Sequence, residues 1–266
     1  MNQQNGITYR KLPGLSAQGL RIWGLAFLLF GMVLNPAVQQ LLASNEVDFM
    51  FTSVGLILQL LHFCAIPIFT FLLVEGVTHT SSLKNYGIRI LILALVVAVP
   101  YNFAMFGNLL GGFTITNPLS IRLNPVFGLL LALVLLYFFR RYPGKTFKRI
   151  ALKAFLWIMS FVWVKMLNIE YGVAVILLAP IIYYLRKKRM IMIFAGCIAM
   201  TLCGFLDIQP EASTYIRTAA YIASAPVSFM ILHFYNGEPG EGNRYVNYLA
   251  YPVILLAIGL LAKFAF

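Results

Sequence analysis

The sequence predicts an all-α fold, a polytopic helical bundle crossing the bilayer about nine times with its N-terminus in the cytoplasm. Three observations predict it. Hydrophobic residues fill 61% of the 266 positions and charged ones 11%, with mean hydropathy +0.85, too little charge to cover a soluble surface. Apolar runs of about 18 residues or more recur along the chain, each able to cross a hydrocarbon core of ~30 Å. The basic residues gather in alternate connections between those runs, as topology determinants do. No stretch is polar enough to form a separate soluble unit, so residues 1–266 are read as one membrane domain.

Taken in order, the spans are expected at about 20–43, 51–78, 86–106, 124–139, 150–167, 170–185, 190–206, 214–234 and 245–264. The first run is too long for the apolar core of a signal peptide and lacks a small-residue cleavage site, so it is kept as a span. The second is long and the fourth short, which allows tilt or a partly re-entrant segment. Almost no loop separates 150–167 from 170–185, making that pair the tightest hairpin. Pro36, Pro67, Pro100, Pro180, Pro226 and Pro252 fall within spans. Neighbouring groups in a membrane bundle re-satisfy the carbonyls that proline frees, so these mark kinks or simply packing. No internal repeat, and no inverted pair of interrupted spans, is visible.

Charge tests this map. With the N-terminus inside, sixteen of the 20 Lys and Arg residues are cytoplasmic, in groups around Arg10, Lys84, Arg140, Arg186 and Arg244. The other four are Arg122, Lys165, Arg217 and Lys263. Glu46, Asp48, Glu170, Asp207 and Glu211 fall outside, which agrees with the assignment without deciding it. A net charge of +12 raises the question of nucleic acid, but the charges lie in short connections and form no basic face interleaved with exposed aromatics. Cys64, Cys197 and Cys203 lie in apolar runs without Cys-x-x-Cys spacing, so neither a disulfide framework nor a metal site is expected.

Ionisable groups in or beside a span are expensive and therefore functional candidates. Glu75 and His79 stand at i, i+4 near the cytoplasmic end of span two, on one helix face. The carboxylate there can orient the imidazole and raise its basicity, with Arg89 of span three as a third member. The same residues could equally be a polar cap holding a hairpin together. In Asn168-Ile169-Glu170-Tyr171-Gly172, Gly172 is read as permitting the turn, and Glu170 as pairing with Lys165 or capping span six. The loop Tyr235-Asn236-Gly237-Glu238-Pro239-Gly240-Glu241-Gly242-Asn243-Arg244 has the glycines of an anion nest, but no lysine and two glutamates, so it reads as a structured turn. His62 and His233 are read as packing groups, and Gly107 to Gly112 as an outer loop that fits no nucleotide motif.

Several of these stretches together resemble the TraX family of conjugal-transfer membrane proteins, related to the pilin N-acetyltransferase. Ala65 through Gly76, continuing through His79-Thr80 and Lys84-Asn85-Tyr86 to Arg89, resembles the block "FPIFAFLLVEGFxHTxNxxKYxxRL". Asn124 through Leu131 resembles "NVxFTLLLG", and Glu170-Tyr171-Gly172 resembles "DYGxxGVL" with Glu for Asp. Tyr235 through Gly240 is similar to "YNGERG", and Tyr248 through Pro252 to "FYxFYPxH". The order of the matches is kept over nearly the whole chain.

The resemblance implies an integral protein of the bacterial inner (plasma) membrane. It also implies transfer of an acetyl or acyl group from a cytoplasmic acyl-coenzyme A, such as acetyl-coenzyme A, to an amine or hydroxyl. No metal is implied. It makes His79 the general base and Glu75 its orienter, with Arg89, Tyr86, Glu170, Tyr171, Asn236 and Glu238 as donor- or substrate-binding residues. The expected partners are the lipid bilayer and another membrane protein or a pilin-like or peptide acceptor, with no nucleic acid. The departures are specific. For "MLIDHIG" the chain has Met32 through Ala37 with Asn35; for "SEIPFD" it has Val97 through Asn102; and for "YPxH" it has Tyr251 through Ile254 without the His. Asparagine hydrogen-bonds but takes no proton at neutral pH. An inactive membrane subunit that keeps the fold is therefore the alternative to an active acyltransferase. A carrier for an amphiphile is a third reading, which the few charges within the spans do not favour.

Overall fold

The computed structural model describes residues 14–30, 53–106, 122–144, 146–206, 214–242 and 244–264, and the expectations for Asn35, Pro36 and the 107–112 loop lie outside them. Among the described residues every regular element is a helix. In chain order these are α1 (Ala17–Phe30), α2 (Ser53–Phe63), α3 (Ala65–His79), α4 (Leu83–Phe106) and α5 (Pro125–Arg141). There follow α6 (Phe147–Met166), α7 (Gly172–Leu185), α8 (Arg189–Leu206), α9 (Thr214–His233) and α10 (Arg244–Phe264). A helix occupies the described part of each expected span. The first of those, 20–43, is described only to Phe30.

The expected span 51–78 is broken into α2 and α3 at Cys64. Pro67 sits in the first turn of α3, where its missing N–H leaves the Cys64 region without a helical donor. The Cys64 N–H is shared between the Leu60 and Leu61 carbonyls at 3.3 and 3.1 Å, and its thiol reaches the Ser224 carbonyl of α9 at 3.5 Å. The two helices still form one apolar stretch. Gly55–His79, Leu83–Met105 and Arg189–Leu206 are each long and apolar enough to cross a membrane, and Ala17–Phe30, Gly172–Leu185 and Tyr248–Leu260 are shorter apolar helices.

Helix α7 is apolar on every side, and the fold buries it accordingly, with Val173 through Ile176, Leu178 through Pro180 and Ile182 all in the core. It packs on α3, α5, α6 and α8, while α3 also meets α1, α5 and α9. Helix α4 pairs with α10, and α8 with α9, around this centre. The outer faces are apolar too. On α8, Ile191, Phe194, Ile198, Leu202 and Phe205 are exposed at helical spacing, as are Phe155, Ile158 and Val162 on α6. Such stripes suit hydrocarbon rather than water.

The α6–α7 hairpin corrects one expectation. Its left-handed residues are Asn168 (φ 47°) and Tyr171 (φ 55°), not Gly172. Gly172 instead lets α6 close on α7, since a Cβ on it would lie 2.8 Å from Val164 Cγ1, while Gly128 lets α5 approach, since a Cβ there would lie 3.3 Å from the Gly172 Cα. A short ladder supports the turn, with Glu170 N–H donating to the Leu123 carbonyl at 3.0 Å and Leu123 N–H to Asn168 at 3.2 Å. Asn124 then caps α5 by accepting from Val126 N–H at 3.0 Å, and its amide donates to Ala94 of α4 at 2.9 Å.

At the other end of the bundle the 234–239 loop holds the start of α1. Leu15 N–H donates to Phe234 and Asn236 N–H to Leu15, while Ala17 and Gln18 N–H groups donate to the Glu238 and Pro239 carbonyls at 2.8 and 3.1 Å. The free donors of the α1 N-terminus are thus met by a segment more than two hundred residues away.

Candidate functional site

Two polar centres lie at opposite ends of the bundle. The first is built on the last turns of α3. Glu75 and His79 share a face as the i, i+4 spacing requires, with 3.4 Å between Glu75 Oε2 and His79 Nδ1. Nδ1 also lies 3.0 Å from the Glu75 main-chain oxygen. A carbonyl oxygen only accepts, so Nδ1 donates to it, which leaves Nε2 outside this contact. The His79 side chain is 72% exposed, against 16% for Glu75, so the basic nitrogen faces the surroundings.

The α3 end is pinned by cations and a phenol. Arg186 Nη1 stands 3.8 Å from Glu75 Oε1, and Arg140 Nη1 donates to the Val77 and Thr80 carbonyls at 2.9 and 3.4 Å. Arg189 does the same for α9, donating to His233 and Tyr235 at 3.0 and 2.8 Å. Tyr235 packs edge-on to Phe71 and hydrogen-bonds Glu75. Burial pushes its phenol up to about 12, with the Glu75 carboxylate adding to the shift.

The other residues expected with Glu75 are placed differently. Arg89 is exposed and donates to the Asn85 carbonyl of its own helix at 3.2 Å, beside the Tyr86 ring, so the third member of the Glu75 group is Arg186 rather than Arg89. Tyr86 fills the surface of Gly76, where a Cβ would meet its ring carbon Cζ at 2.7 Å. Asn236 accepts from Glu238 N–H at 3.0 Å, which makes the loop an Asx turn. Its carbonyls serve α1, in line with the turn reading.

Glu170 and Tyr171 belong to the second centre, at the opposite end. Tyr101 of α4 donates a hydrogen bond to Glu170 Oε2, and Tyr171 hydrogen-bonds the same carboxylate. His62 Nε2 meets the Tyr171 hydroxyl at 3.1 Å, with the two rings edge to face. His62 and Asn102 are both buried, and Asn102 Oδ1 has no hydrogen-bond partner among the described residues. A small cavity of about 20 Å³, enough for one water, is lined by His62, Tyr101, Tyr171 and Tyr251. The expected capping of α7 by Glu170 is not its arrangement: α7 starts behind Tyr171 with no side-chain cap. The carboxylate turns to the phenols instead. A bulky residue at φ 55° is costly backbone, and here it is what brings the Tyr171 ring to His62.

A larger, partly open cavity of about 100 Å³ adjoins this centre. Arg122, Lys165 and Arg217 line it with Glu170, and the first turn of α7 borders it. Arg217 also lies over the Tyr171 ring, 5.8 Å from its centroid. Among the described residues no group of three or more His, Cys, Asp or Glu is placed to hold a metal.

His62, Tyr101, Arg122, Lys165, Arg217 and Tyr251 were not expected at a site. One signal was available: three of these are among the four basic residues that break the charge asymmetry. Val97 through Asn102 and Tyr251 through Ile254, where the chain departs from the TraX pattern, and Glu170, which stands where that pattern has Asp, contribute Tyr101, Tyr251 and Glu170 to this one centre.

No curated protein and no solved structure matches the chain. A family model does, described as TraX protein and covering residues 25–262, nearly the whole sequence. The chain belongs to the TraX family.

Proposed function

We propose that this TraX-family protein is an acyl-group transferase of the bacterial inner membrane. It crosses the bilayer about nine times with its N-terminus inside. In this reading it uses a cytoplasmic acyl-coenzyme A, such as acetyl-coenzyme A, to acylate an amine or hydroxyl on a peptide or pilin-like acceptor. The observation that carries the reading is the His79 imidazole, held at Nδ1 by the Glu75 carbonyl on a largely exposed side chain. The donor supplies an activated thioester. His79 Nε2 takes the acceptor's proton as the acceptor nitrogen or oxygen bonds to the acyl carbon, and returns it as the carbon–sulfur bond breaks. Glu75 holds the ring and favours the imidazolium that forms. Arg141, Lys187 and Lys188 are exposed next to Arg140 and Arg186, which touch α3, and would hold the donor's phosphates.

A second reading, a catalytically silent membrane subunit, is favoured by a specific observation. At the second centre the chain has Asn102 where the family pattern has Asp, and the carboxylate that remains, Glu170, is engaged by two phenols. The test is calorimetric binding of acetyl-coenzyme A to detergent-purified protein, followed by a transfer assay. Binding that is lost in Glu75→Ala, with transfer abolished by His79→Ala, is expected. No binding up to about 1 mM in folded protein overturns the enzyme reading and leaves the subunit reading. Activity that survives His79→Ala but not His62→Phe moves the base to the opposite end.

A further inference from the structure

The three cations at the cavity beside Glu170 stand apart from the rest of the charge pattern. The bundle gathers Arg140, Arg186 and Arg189 at the Glu75 end, where they cap helices and bind a carboxylate. Arg122, Lys165 and Arg217 sit at the other end, where cations work against the asymmetry that orients a membrane protein. They come from three separate elements: the segment before α5, the last turn of α6 and the first turns of α9. Residues so far apart in sequence, each costly by position, converge on one cavity.

The cavity has the properties of an oxyanion site. Its volume of about 100 Å³ is several times the ~10–15 Å³ that admits a single water, so it takes a group of several atoms. Its lining brings together three cations, Arg122, Lys165 and Arg217, with one carboxylate, Glu170. Glu170 is already engaged by Tyr101 and Tyr171, which moderates its repulsion of an incoming anion. The N-terminal turn of α7, through Gly172, Val173 and Ala174, borders the space, and its dipole favours negative charge there. Cations arriving from three elements suit a tetrahedral group, which offers oxygens in several directions, better than a planar carboxylate.

We propose that this cavity binds a phosphate group, carried either by a phospholipid headgroup or by a soluble phosphate. The site is independent of the acyl-transfer reading and lies at the opposite end of the bundle from His79. Lys165 and Arg122, both exposed at the cavity mouth, meet the phosphate first, and half-buried Arg217, resting on Tyr171, closes its inner side.

The experiment uses the full chain in a neutral detergent, titrated by calorimetry with inorganic phosphate and, separately, with a short-chain phosphatidylglycerol. Saturable binding of one probe or both is expected. Phosphate binding without lipid identifies a soluble ligand, and binding of the lipid alone identifies a headgroup. Lys165→Gln and Arg122→Gln should each weaken binding by about tenfold or more, the loss of a charge-assisted hydrogen bond. Lys165→Arg should keep it, and Lys84→Gln, an exposed cation on α4, should leave it unchanged. The two neutral variants lie on different elements, so misfolding of one leaves the other as the test. No saturation by either probe up to about 10 mM in folded protein overturns the proposal. So does binding that Lys165→Gln and Arg122→Gln leave intact, or that Lys84→Gln weakens equally.

Discussion

Replacing Tyr101 with Phe deletes one oxygen and nothing else, and it restores the residue of the family pattern at that position. Tyr101 is 4% exposed and its hydroxyl donates to Glu170, a carboxylate that Tyr171 also engages. A buried hydrogen bond to a charged group contributes about 1.5–3 kcal/mol, and the deprived acceptor pays its desolvation in full. Tyr171 remains as a second donor, which places the expected loss near 2 kcal/mol, or roughly 30-fold in the folded-to-unfolded ratio. The measurement is reversible unfolding in mixed micelles, monitored by circular dichroism. Tyr251→Phe is the comparison, because that phenol lines the same small cavity without a hydrogen bond to Glu170. The reasoning fails if Tyr101→Phe costs less than about 0.5 kcal/mol, or no more than Tyr251→Phe.

Gly172→Ala should cost about 1–3 kcal/mol by forcing α7 from Val164 of α6 and from Ile169, read as a lower midpoint in the same unfolding assay; an unchanged midpoint refutes the close approach. Arg140→Gln removes the donor to Val77 and Thr80, so hydrogen exchange at the α3–α4 turn should rise while stability falls by about 0.3–1 kcal/mol. The folded state holds the Tyr235 proton more tightly than the unfolded chain. Its contribution to stability is therefore full below pH 10 and is lost as pH rises toward about 12. Tyr235→Phe should flatten that part of an alkaline stability profile, and an unaltered profile would count against the Glu75 contact.

What could be read from the sequence follows from the range of each interaction. Apolar runs are local, so the helices were legible almost to their ends. The Glu75–His79 pair was too, because four residues on a helix fix the geometry. The break at Cys64 was not, since Pro67 is as compatible with a kink as with a new helix. At the second centre, Tyr101 reaches Glu170 across 69 residues and His62 reaches Tyr171 across 109, distances over which no periodicity carries information. Gly172 was misread for a related reason. Its small size answers to Val164 on α6, while the turn itself rests on Asn168 and Tyr171.

The backbone clasp between Leu15–Gln18 and Phe234–Pro239 bears on how the chain is made. Helix α1 leaves the ribosome long before the carbonyls that satisfy its opening turn, which belong to the connection between α9 and α10. Until α9 has been completed, the start of α1 has only water or lipid headgroups as partners, and it can tilt or slide against α3. Docking of α1 is thereby a report that α9 has arrived. A nascent chain halted after α8 should leave residues 14–18 open to a protease that cannot touch them in the finished protein.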